Sequence, residues 1–477
     1  MLLRKDWSVD VRAAVNDLIA MFGKNSGNYD KSSYAVFDFD NSSTIFDCEE
    51  QLAAFQIEVM AFEIKPENFR EILYTELSDT SADLSGYGYF KGSYGDLADD
   101  IAGAYSRLWN RYGPFSAKGV AEEKLDALHS DEYWMEFAAK LRMMYDLVYD
   151  VESAAIAYPW ILYWFTGMTE EEVYALGLRC AEKYKDSDTV TVKWESPEIE
   201  SKTGRVSYEF TLGVNATENI KELYKTLNEN GIDVWVCSAS CTGAVRACID
   251  SFGLHGYIKG MLGMTNKTDE SGRYLNGYDY ETGCGFYALS GGKWQKMSAP
   301  TKAQPFAEGK VTAITNAIAP EYENHGPIAG FMDSTGDFSF CTEYETLKLV
   351  ICFNRATRKV TDGGGLISEL AVYQKNVLGY DMKKAAEAGD TLYVLQGRDE
   401  NGKRTFRNSC ETLRLGREKS ILFASDDNRR QLDHFTEKKL STREIIEKYS
   451  VRTDADKSEL GFAFGFCKKN GGYHSHK

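Results

Sequence analysis

The chain contains no apolar run long enough to cross a bilayer and none with the uninterrupted length of a secretory signal. Its first residues, MLLRKDWSVDVRAAVNDLIAMFG, instead place Val11, Val15, Leu18, Ile19 and Phe22 at helical spacing. A basic stretch is also missing. Lys and Arg number 55 against 72 Asp and Glu, a net charge of −17, which argues against tracking a nucleic-acid backbone. An anionic ligand must therefore be met by a local cation. The 10 cysteines form no CxxC pair, and Cys237 and Cys352 lie inside apolar, strand-like runs where they read as buried thiols. A reducing compartment, cytoplasmic, is the expectation. An exported protein whose signal was removed remains the alternative. There is no internal repeat and no low-complexity tract.

What is present suggests two or three domains, or one core with large insertions, across 477 residues. A first helix leads to an apolar run at Tyr34–Phe37. Residues 49–187 are rich in helical pattern and poor in strand pattern. Residues 188–214 switch to period-two alternation, a predicted hairpin. NATENIKELYKTLNENG follows as an amphipathic helix, capped by Asn215 or Thr217 and stopped at Gly231. IDVWVCSAS reads as a strand, CTGAVRACIDSFG as a helix, EGKVTAITNAI as a helix, GPIAGFMDSTGD as an apolar run ending in carboxylates, and TLKLVICFNR as a strand. Residues 255–305 are Gly- and Tyr-rich with turns. The Gly-rich stretch at 361–365 reads as a flexible turn. Alternating strands and helices predict a parallel sheet covered by helices on both faces, with ligands at the carboxyl ends of its strands.

Three of those ends carry chemistry. In SSYAVFDFDNSSTIFDCEEQL, a buried strand runs straight into Asp38 and Asp40, which share a face if the strand persists. Asp333 ends another run, and Ser238 a third. Unpaired buried carboxylates are costly, so a cation must meet them. An oxygen-rich cluster with few ligands suits Mg²⁺.

FDFDNS resembles the first motif of the haloacid dehalogenase superfamily, hydrophobic residues followed by D-x-D. VWVCS resembles the second motif, EGKVTAI the lysine of the third in the phosphoserine-phosphatase-like branch, and FMDSTGD the paired acids of the fourth. Two departures stand: Ser42 replaces the usual Thr, and Met332 the usual Gly. The resemblance implies an α/β fold, a Rossmann-like parallel sheet core with a large, mostly helical cap inserted between the first and second motifs. Residues 1–48 and 215–477 would form the core with a C-terminal elaboration, and 49–214 the cap. It implies a Mg²⁺-dependent phosphomonoester hydrolase acting on a small phosphorylated metabolite. Asp38 would be the nucleophile and Asp40 the general acid and base. Ser238 would bind a phosphoryl oxygen, and Lys310 would neutralise the nucleophile and the phosphoryl group. Mg²⁺ would be held by Asp38, the Asp40 carbonyl and Asp333, with Asp337 supporting the metal or Lys310. A phosphotransferase using the same aspartyl-phosphate, and a non-catalytic binding protein on the same fold, are the alternatives. The six His include none in an Arg-His-Gly setting, and Cys241 has Arg246 only five positions on, one short of the Cys-based phosphatase spacing.

The segment between the first two motifs suggests the substrate. DCEEQL places Glu49 and Glu50 where phosphorylcholine phosphatases carry an acidic pair, and AAIAYPWILYWFTGMT, residues 154–169, resembles their cap. The resemblance implies a quaternary ammonium held by Glu49, Glu50, Tyr158, Trp160 and Trp164, with Tyr163 and Phe165 nearby. The plainer reading stays open: Asp47 caps a helix with Glu50 three residues on, and the aromatic run is cap core.

Overall fold

The computed structural model describes residues 1–298, 301–357 and 362–449. Its strands are β1 (Tyr34–Phe37), β2 (Val190–Glu195), β3 (Ser207–Leu212), β4 (Asp233–Cys241), β5 (Gly260–Met264), β6 (Asn266–Thr268), β7 (Tyr274–Tyr278), β8 (Gly285–Ser290), β9 (Lys293–Lys296), β10 (Ala329–Met332), β11 (Leu349–Asn354), β12 (Leu392–Asp399) and β13 (Thr405–Phe406). Nine of them form one sheet in the order β13-β12-β11-β10-β1-β4-β5-β8-β9. From β12 to β5 the pairing is parallel; β13, β8 and β9 run antiparallel at the two edges. This is a Rossmann-like α/β core.

The centre of the sheet is buried on both faces, which is why its strands read as apolar runs without alternation. Ala35 and Phe37 of β1 join one hydrophobic cluster and Tyr34 and Val36 the other. Phe37 stacks on Phe331 of β10 with ring centroids 3.7 Å apart. Phe37 is also in register with Val236 of β4, so β10 and β4 flank the end of β1, and β4 continues past it to Cys241. The chain leaves β1 toward β4 on one side and reaches β10 on the other. That reversal opens a crevice at the carboxyl edge, where open α/β sheets bind ligands.

Between β1 and β4 the chain builds a mostly helical cap. It comprises helices Cys48–Val59, Pro66–Leu73, Tyr94–Tyr112, Glu132–Val151, Ala154–Leu162 and Glu170–Tyr184, followed by the antiparallel β2–β3 hairpin. Trp194 of β2 packs edge-on against Trp134 and Phe210, which fixes the hairpin to helix Glu132–Val151. Helix Glu218–Glu229 then starts from Thr217, whose side chain accepts from the Ile220 N–H, and Gly231 follows at φ 79°.

The glycines at 363–365 are not a turn. They open helix Gly363–Tyr373, capped by Asp362, whose carboxylate accepts from the Gly364 N–H; residue 361 lies outside the described residues. The glycines allow close approach. A Cβ on Gly364 would stand 2.4 Å from the Asp333 carbonyl oxygen, and one on Gly363 2.8 Å from Phe338. The helix N-terminus is thereby pressed against the end of β10. Among the described residues, no helix is long and apolar enough to cross a membrane.

Candidate active site

Asp38 follows the last residue of β1, and its N–H still donates to the Phe331 carbonyl, 2.9 Å away. The chain then curls through Asn41 at φ 60° and Phe46 at φ 72°. Inside that curl the Ser42 hydroxyl donates to Asp38 Oδ2 at 3.1 Å, so the serine at this position supplies a hydroxyl to the carboxylate. Lys310, from helix Glu308–Ala313, places Nζ 2.7 Å from Asp38 Oδ1 and 2.6 Å from Asp337 Oδ1. Asp337 Oδ2 in turn accepts from the backbone N–H groups of Asp333 and Ser334.

One carboxylate oxygen from each of Asp38, Asp333 and Asp337 lies within 4.8 Å of the others, and all three residues are buried. Burial, then Asp337, pushes the Asp38 carboxyl well above its ordinary range against the pull of Lys310. Burial likewise raises Asp337, with Lys310 opposing. Burial would strip Lys310 of its proton, but Asp337 and Asp38 outweigh it and hold the ammonium form. Three convergent oxygen donors at the floor of a cavity suit a small hard cation. Asp337 belongs to this donor set alongside Asp38 and Asp333.

Asp40 faces elsewhere. Its Oδ1 accepts from the Cys48 N–H at 2.6 Å, and its Oδ2 from Ser240 Oγ at 2.6 Å and Ser238 Oγ at 3.2 Å. Burial raises its pKa, and the Cys48 and Ser240 donors restrain the rise. The serines reach it because β4 slips out of register with β5 between Cys237 and Cys241, a local irregularity that re-aims side chains at the strand end. Ser238 is fully buried beneath Asp40, whereas Ser240 lines the adjoining cavity. Ser240 was not singled out in the sequence, although CSAS sets the two hydroxyls at strand spacing. Arg355 is a second such residue: its Nη1 lies 3.0 Å from Asp333 Oδ2.

A cavity of about 650 Å³ opens above these groups, walled by the core, the cap and the C-terminal part of the chain. Glu49, Glu50 and Tyr158 line it. Glu49 accepts from the Cys241 N–H at 2.5 Å, and burial drives its pKa well up. Glu50 pairs with Arg142 at 2.6 Å. Asp47 caps helix Cys48–Val59 by accepting from the N–H groups of Glu49 and Glu50. Arg142 lies 5.3–5.4 Å from the ring centroids of Tyr145, Tyr208 and Phe210. The carboxylate and aromatic faces that would greet a quaternary ammonium already surround a guanidinium.

Trp160 and Trp164 do not reach the cavity. Each is 1% exposed, they pack edge-on at 5.6 Å, and Trp160 Nε1 donates to the Leu73 carbonyl. Their expected substrate role gives way to one in the cap core, where large indoles bury most area. Tyr163 and Phe165 are likewise buried, Tyr163 bonding Glu76 at 2.8 Å. The Cys-x5-Arg spacing does occur, at Cys352 and Arg358. Cys352 is 1% exposed within β11, and burial raises its thiol pKa, so it makes a poor nucleophile. Arg358 lies outside the described residues.

No family model and no curated protein matches the chain. Among solved structures, it is similar to one described as a conserved functionally unknown protein from Anaerococcus prevotii. The TM-score is 0.66 at 25% identity, over 86% of this chain and 99% of that one. A protein with unknown function from Bordetella pertussis aligns over 76% of this chain and 97% of its own at 11% identity, with a TM-score of 0.34. The first likeness extends over nearly the whole of a second protein.

Proposed function

We propose that the protein is a Mg²⁺-dependent phosphomonoester hydrolase of the haloacid dehalogenase type. The observation that carries this reading is the meeting of Asp38, Lys310, Asp333 and Asp337 at the ends of β1 and β10, with Asp40 beside them and a cavity above. Asp38 is the nucleophile. Its carboxylate oxygen bonds to phosphorus while the bond from phosphorus to the ester oxygen breaks, and Asp40 gives that oxygen a proton. Asp40 then takes a proton from water, whose oxygen bonds to phosphorus as the acyl-phosphate bond breaks and Asp38 is regenerated. Ser240, Ser238 and the Cys48 N–H hold the Asp40 carboxyl in one orientation for both transfers. Lys310 sets its charge between Asp38 and Asp337 and meets the charge that develops on the phosphoryl oxygens. Asp38, Asp333 and Asp337 are the residues that would hold Mg²⁺, which supplies Lewis-acid stabilisation of an in-line transfer. The inserted cap roofs the cavity and selects the leaving group.

The substrate is a small phosphorylated metabolite and the leaving group its alcohol. Choline phosphate is one candidate, and a trimethylammonium seated among Tyr145, Tyr208 and Phe210 would have to displace Arg142. The test is a panel of phosphomonoesters, choline phosphate included, assayed with Mg²⁺ and with EDTA. Phosphate release that requires Mg²⁺ supports the reading. Absence of release from every member, or release that survives chelation, contradicts it.

A further inference from the structure

We propose that Arg398, on β12, is a positioning residue that holds the Asp38–Asp40 loop in its working shape. The kinetic consequence rests on the phosphatase reading; the geometry does not. Arg398 is 1% exposed and lies 357 residues from its partner Asn41. Its Nη1 donates to the Asn41 carbonyl and its Nη2 to Asn41 Oδ1, each at 3.1 Å. On its other edge, Nε and Nη2 donate to Glu400 Oε1 at 3.0 and 2.7 Å. Glu400 is itself fixed, since its Oε2 accepts from the Leu415 N–H at 3.1 Å. One edge of a planar fork is anchored and the other grips the residue after Asp40.

The gripped loop needs such a hold. Asn41 and Phe46 both have left-handed backbones, at φ 60° and 72°, and the Asn41 N–H reaches back to the Phe46 carbonyl at 3.3 Å. Non-glycine residues persist there only when their surroundings over-determine them. The same loop aims the Ser42 hydroxyl at Asp38 Oδ2 and brings the Cys48 N–H to Asp40 Oδ1. A shift at Asn41 therefore displaces both carboxylates of the proposed reaction. The C-terminal part of the chain, which carries no recognisable motif, contributes the residue that prevents it.

Lysine at 398 keeps the charge opposite Glu400 but cannot span two acceptors with one planar group. The test compares the full chain with Arg398→Lys, Asn41→Gly and both together. Asn41→Gly keeps the left-handed backbone available and removes Oδ1. Arg398→Lys is expected to lower kcat by about tenfold to a hundredfold, with KM within about twofold of wild type. Asn41→Gly should lower kcat in the same sense, with the double variant losing less than the product of the single losses. Hydrogen exchange supplies a readout free of activity: amides of residues 41–46 should exchange faster in Arg398→Lys while those of β1 and β11 stay protected. Wild-type kcat in Arg398→Lys, unchanged exchange at 41–46, or fully multiplicative losses overturn the proposal. If the wild type releases no phosphate from any ester, the phosphatase reading fails, and exchange alone then decides whether Arg398 holds the loop.

Discussion

Lys310 Nζ stands 2.7 Å from Asp38 Oδ1, a contact across 272 residues of chain, and both side chains are largely buried at the floor of the cavity. The ammonium is shared with Asp337. Lys310→Met should therefore leave two buried carboxyls without their cation and remove charge stabilisation from the transfer. The expected loss in kcat is about a hundredfold to a thousandfold. Steady-state kinetics on protein shown by circular dichroism to be folded checks this, and near-wild-type turnover would remove Lys310 from the mechanism.

The donor set makes a prediction about metal that needs no turnover. Asp333→Asn removes a charge from the trio of Asp38, Asp333 and Asp337. Titration calorimetry should show Mg²⁺ affinity lowered by at least about tenfold, with the Mg²⁺ needed for half activity raised in step. Equal affinity in the two proteins would place the cation elsewhere.

Glu50 tests the leaving-group site. It is paired with Arg142 inside an aromatic box. Glu50→Gln should leave a buried guanidinium less well compensated and lower the melting temperature. It should change KM for choline phosphate and for an uncharged phosphate ester by similar factors. A rise in KM confined to choline phosphate would instead show that Glu50 meets a quaternary ammonium.

Asp146 gives the chain a pH dependence. Burial, with Glu50 adding to it and Arg142 opposing, pushes its carboxyl from 3.8 up to about 6. The folded protein thus holds this proton more tightly than the unfolded chain. Its contribution to stability is full below about pH 4 and is lost as pH rises through about 6. Asp146→Asn should raise the melting temperature near pH 7 and leave it nearly unchanged near pH 4. The opposite ordering would mean that ionised Asp146 stabilises the fold through Arg142.

The sequence exposes the site better than its surroundings, for physical reasons. β1, β4, β10 and β11 are buried on both faces, so they appear as apolar runs, and carboxylates or hydroxyls at their ends stand out. β5 does not read that way. Gly260 opens it because a Cβ there would meet the Trp235 ring at 2.4 Å, and glycine carries no strand signal. The glycines at 363–365 look like a turn for the same reason, yet they serve close contact with the end of β10. Trp160 and Trp164 resemble a ligand box because cap core and aromatic cage draw on the same residues. Arg142, Arg355 and Arg398 act through partners distant in the chain, and spacing alone does not reveal them.

The central claim is that Asp38 carries the phosphoryl group. The direct measurement is to quench the wild type during turnover of a radiolabelled phosphomonoester with Mg²⁺ and to map the label by peptide mass spectrometry. The account predicts a phosphoryl group on Asp38, released by hydroxylamine as an acyl phosphate is, and neither label nor turnover in folded Asp38→Asn. Label on another residue, or turnover retained by Asp38→Asn, would contradict it.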